Sequence, residues 1–74
     1  MDELYFKLAK TETCEDARMM LLEALESETN LEHKNKLAGA LAYLKLKNNH
    51  SAFVFNLRDI LFNNFCDVIK LATK

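Results

Sequence analysis

Two cysteines, two histidines, two close carboxylate pairs and a run of lysines are the residues of this 74-residue chain that could do chemistry. Cys14 falls in the first turn of a helical segment, where a thiolate is favoured. Glu12, Glu15 and Asp16 surround it and oppose that ionisation. Cys66 lies among apolar residues and reads as core packing, since a free cysteine behaves as a small hydrophobe. His33 and His50 fit neither HExxH nor any cysteine spacing of a zinc site. They read as a helix-start histidine and a loop histidine. The pairs Glu12/Asp16 and Glu28/Glu32 stand at helix starts, where the positive end of the helix dipole accounts for them. Gly39 is the single glycine, so a glycine-rich phosphate loop is excluded, and no nucleophile-elbow or dinucleotide pattern occurs. The expectation is a protein that is not an enzyme, with no catalytic residue, metal or cofactor.

The lysines carry a different kind of chemistry. Residues 1–32 hold nine acids and three bases, and residues 33–74 hold two acids and seven bases. Lys34, Lys36, Lys45, Lys47 and Arg58 therefore form a candidate basic patch able to meet phosphates. Against a DNA reader, the preceding helix is acidic, only Tyr43 offers an aromatic ring there, and net charge is −1.

These residues must be positioned by helices, because no alternating strand pattern occurs. The expected fold is all-α: one domain over residues 1–74, a small antiparallel bundle of three main helices at about 12–27, 30–47 and 51–72. A short helix over 2–10 precedes them, with Leu4, Tyr5 and Leu8 on one face. Thr11 and Thr13 are two possible caps of the second helix, and Thr13 to Asp16 has capping-box spacing with Asp in place of the usual Glu. Thr29 to Glu32 has it more cleanly, and Ser51 is the expected cap of the last helix. Leu37, Leu41 and Leu44 make a seam on the third segment. Gly39 lies within it, at a cost of about 1 kcal/mol against alanine, which close approach of another backbone would offset.

The stretch from Ser51 to Thr73 is apolar over most of a helical barrel, and Asn56, Asp59, Asn63, Asp67, Lys70 and Lys74 draw a narrow polar stripe. It reads as the element around which the rest is organised. About 50 residues precede it, too few to cover all its sides, so one side is expected to serve an interface. Met19 and Leu22, within the run Met19–Leu22, raise the same excess of apolar surface. The candidate interface residues are Met19, Leu22, Phe55, Phe62 and Ile69.

The function that follows is a small helical protein-interaction module, a regulator, inhibitor or adaptor that binds a protein partner and pairs with itself as a homodimer. The alternatives are a compact nucleic-acid-binding regulator that uses the basic residues, and a binder of a small molecule or nucleotide at a dimer seam. Few Gly and Pro with abundant Lys and Asn fit an AT-rich microbial or viral genome, and suggest a phage-type protein. Met1 is followed at once by Asp2 and Glu3, without the basic start of a signal peptide. Charges inside the last apolar stretch argue against a membrane span. A cytoplasmic protein, of the producing or host cell, is the expectation.

Overall fold

Short polar side chains set most of the helix boundaries in this protein. The computed structural model describes residues 2–63 and 65–73, and places six helices in them: α1 (Asp2–Ala9), α2 (Cys14–Ser27), α3 (Leu31–Lys47), α4 (His50–Phe55), α5 (Leu57–Phe62) and α6 (Phe65–Thr73). Thr13 caps α2 as expected, its hydroxyl accepting the Asp16 N–H at 3.1 Å. Asn30, not Thr29, caps α3: its Oδ1 accepts from the N–H groups of Glu32 at 2.8 Å and His33 at 3.3 Å. Asn49, not Ser51, caps α4 through the Ala52 N–H at 3.1 Å. An asparagine wins in both places because its amide oxygen stands at the position from which the first free N–H groups are reached. Asn48 closes α3 in the left-handed region (φ 46°, ψ 44°), which asparagine tolerates better than most residues.

The stretch 51–72 is not one helix. Asn56 (φ −99°, ψ 11°) separates α4 from α5, and Asn63 takes an extended conformation (φ −104°, ψ 168°) after α5. The Asn56 side-chain amide donates to the Ala52 carbonyl at 3.0 Å and to the Tyr43 hydroxyl at 3.3 Å. Such side-chain bonds to the backbone offer an alternative to helix continuation. Residues drawn as a polar stripe are thus partly joints. Geometry favours the breaks. A straight helix over 51–72 would run about 33 Å, against about 25 Å for α3. The longest dimension of the molecule is 30 Å. The radius of gyration, 10.8 Å, is close to the ~11 Å expected of a compact domain this size.

Folding at these joints makes α3 the centre. It packs against α2, α4, α5 and α6, with the most extensive contact to α6, while α1 lies on α5. Leu37, Gly39, Ala40, Tyr43 and Leu44 of α3 are buried and Leu41 is half-buried. At about 100° per residue these positions cover ~200° of the helix. Gly39 is buried within that arc, among small residues, as close helix packing requires. Around it the core receives Leu8, Ala17 and Leu21 from the N-terminal half, and Phe53, Leu57, Ile60, Leu61 and Val68 from the C-terminal half. Leu4 and Tyr5 pack against this cluster from α1. Cys66 is exposed, against the expectation of a core cysteine. It sits two residues, and so about 200°, from buried Val68, which turns it to the outer side of α6.

Candidate functional site: an aromatic groove between α1 and α5

The docking of α1 on α5 builds an aromatic surface groove. Leu8 anchors α1 in the core, and Leu57, Ile60 and Leu61 anchor α5. With those faces held, Phe6 and Phe62 are left standing outward, 63% and 46% exposed. Half-buried Tyr5 joins them. Its ring meets Phe6 edge-on at 5.6 Å between centroids and lies 6.5 Å from Phe62. Such spacings are those of attractive aromatic pairs. Among the described residues, Tyr5, Phe6, Arg58 and Phe62 line a groove of about 340 Å³.

Of the residues singled out for an interface, Phe62 is therefore in this groove. Met19 is exposed but lines a different hollow, of about 660 Å³, beside Lys7, Lys10, Asp16, Met20 and Glu23. Leu22 is exposed on α2, and Phe55, 88% exposed, projects from α4. Ile69 is half-buried on α6. Phe6 was missed by sequence reasoning. The signal was available: on a helix whose core face carries Leu4 and Leu8, residue 6 is displaced by about 200° from each.

Arg58 parts from the lysines, because it belongs to the aromatic groove. The lysines themselves are not gathered on one face. By helical phase Lys34 and Lys45 share one side of α3, about 16 Å apart along its axis, with Lys45 exposed and Lys34 half-buried. Lys36 and Lys47 lie about 200° round the helix from them; Lys47 is exposed, and half-buried Lys36 places its ammonium 3.9 Å from Glu32.

The histidines have local partners. His50 Nε2 lies 2.9 Å from the Thr11 hydroxyl. His33 Nδ1 lies 3.4 Å from a Glu28 carboxylate oxygen. The Asn30 N–H above all holds the Glu28 carboxyl below its ordinary range; desolvation, the next largest effect, opposes it, and the Thr29 N–H and His33 add to the lowering. Cys14 is half-buried against the core. Among the described residues no three metal-binding side chains converge, and no helix is long and apolar enough to cross a membrane.

Compared with protein-family models, curated proteins and solved structures, the chain matches none of them.

Proposed function

We propose that this is a small, non-enzymatic helical module that acts by binding another protein, as a regulator, inhibitor or adaptor. The supporting observation is the placement of large apolar side chains outside a core that is already complete. The core closes over α3 without Phe6, Phe55 or Phe62, yet these three aromatic residues stand in water. Scattered exposed apolar residues are normal on any protein. Two exposed phenylalanines brought to one groove from residues 6 and 62 are a more specific arrangement, and aromatic side chains are the usual anchors of protein interfaces.

A second copy of the chain is one such partner. The case for a homodimer no longer leans on an uncovered long helix, because the three short helices wrap α3. It leans on the exposed phenylalanines. Light scattering across the micromolar range tests it: a dimer that Phe55→Ser or Phe62→Ser dissociates supports self-pairing, and a monomer at all concentrations sinks that form. The wider reading is tested by capture from lysate with the wild type and a Phe6→Ser/Phe62→Ser double variant. A partner retained by the wild type and lost by the variant supports it. Identical capture by both removes the surface from the function.

The nucleic-acid alternative has less geometric support, since its lysines point to opposite sides of α3. Binding of duplex DNA at low salt, lost by 200 mM salt, would restore it.

A further inference from the structure

We infer that the α1–α5 groove receives an amphipathic segment of a foreign protein, whose apolar side chain enters between Phe6 and Phe62 while a neighbouring carboxylate meets Arg58. This rests on the protein-binding reading above and names the chemistry of the partner.

Three observations carry it. First, the described lining is three aromatic rings and one guanidinium, so the groove offers apolar ring faces beside one positive group. Second, no carboxylate among the described residues pairs with that guanidinium. Among the described residues the ion pairs are Lys7–Glu3, His33–Glu28 and Lys36–Glu32, and Arg58 has no carboxylate within 4.0 Å. An arginine beside aromatic rings is suited to bind carboxylate in two parallel hydrogen bonds. Third, the groove is about 340 Å³ and partly open to solvent, near the lower limit of ligand clefts. It has room for one or two large side chains, and its exposed Phe6 and Phe62 rims continue outward where a protein segment would lie. A second copy fits less well. The surface would have to bring two Arg58 side chains towards one two-fold axis, which costs repulsion unless each finds an acid across it.

The test is an NMR titration of the full chain, labelled with nitrogen-15, with two synthetic peptides. Both carry leucine and phenylalanine on one helical face. One has glutamate flanking that face, and the other has lysine in its place. The acidic peptide is expected to shift the amide signals of Tyr5, Phe6, Arg58 and Phe62, and to bind more tightly than the basic one. Arg58→Glu, at an exposed position, should weaken the acidic peptide by about five-fold or more and favour the basic one. Equal binding of both peptides at these residues would overturn the charge assignment and leave protein binding standing. Shifts confined to other residues, or no shift with either peptide, would overturn the groove. Concentration-dependent shifts at these four residues without peptide would assign the groove to a second copy instead. Phe6→Ser, on the solvent side of α1, provides a second variant and should weaken the acidic peptide without changing the fold.

Discussion

The Thr11 hydroxyl stands 2.6 Å from the Leu8 carbonyl and 2.9 Å from His50 Nε2. A hydroxyl has one proton, and its bond to Leu8 takes it. His50 must therefore donate from Nε2, which fixes the neutral ring's proton on that nitrogen. The pair ties the end of α1 to the start of α4 across 39 residues of sequence. Thr11→Val removes both bonds at nearly constant shape. It should lower stability by about 1 kcal/mol in urea denaturation. Retained stability would mean that water replaces Thr11 without loss.

Asn56 makes a comparable link at the α4–α5 joint. Alanine is the better helix former by about 0.6 kcal/mol. If the joint were only a weak spot in a helix, Asn56→Ala would stabilise. The bonds to Ala52 and to the hydroxyl of buried Tyr43 argue for the opposite. We expect a loss of about 1 kcal/mol. Tyr43→Phe should cost a similar amount, and the double variant less than the sum of the two. Additive losses would show that the pair is not coupled.

Glu28 predicts a pH dependence. Its folded carboxyl is held below the ordinary value of 4.5, first by the Asn30 N–H. A depressed folded pKa stabilises the fold above the unfolded value, and this contribution is lost as pH falls through the folded one. The stability difference between the wild type and Glu28→Gln should therefore hold at pH 6–7 and shrink as the pH drops below about 4.5. Chemical denaturation at pH 7 and pH 3 measures it, and a difference unchanged at pH 3 contradicts the assignment.

Exposure separates two residues only two positions apart. Phe55 is 88% exposed and Leu57 is fully buried. Phe55→Ser should change stability by no more than about 0.5 kcal/mol, whereas Leu57→Ala should cost about 2–5 kcal/mol. A large loss from Phe55→Ser in a monomeric protein would place that ring inside a contact rather than in water.

Local features were legible in the chain and long-range ones were not. The all-helical class follows from apolar spacing, and the Thr13 cap from a four-residue pattern, because a helix and its cap are decided by neighbours within a turn or two. The choice of Asn30 over Thr29 is a shift of one residue between two good caps. The breaks at Asn56 and Asn63 needed more. Asparagine costs an isolated helix only about 0.6 kcal/mol against alanine, too little to end one. At Asn56, Tyr43 of another helix completes the bond that holds the joint, so tertiary structure decides it. The same breaks moved the centre of the fold from the last apolar stretch to α3, and turned Cys66 outward. They also leave Phe62 at the end of α5, beside Tyr5, with Phe6 and Arg58 in the same groove. The chain alone dictated helices, the rough bounds of α1, α2 and α3, and an excess of apolar side chains. Which of those side chains close the core, and which are left to face a partner, depended on how α1, α5 and α6 dock on one another and on α3. That is settled by burial across the whole molecule, which no spacing within a single segment records.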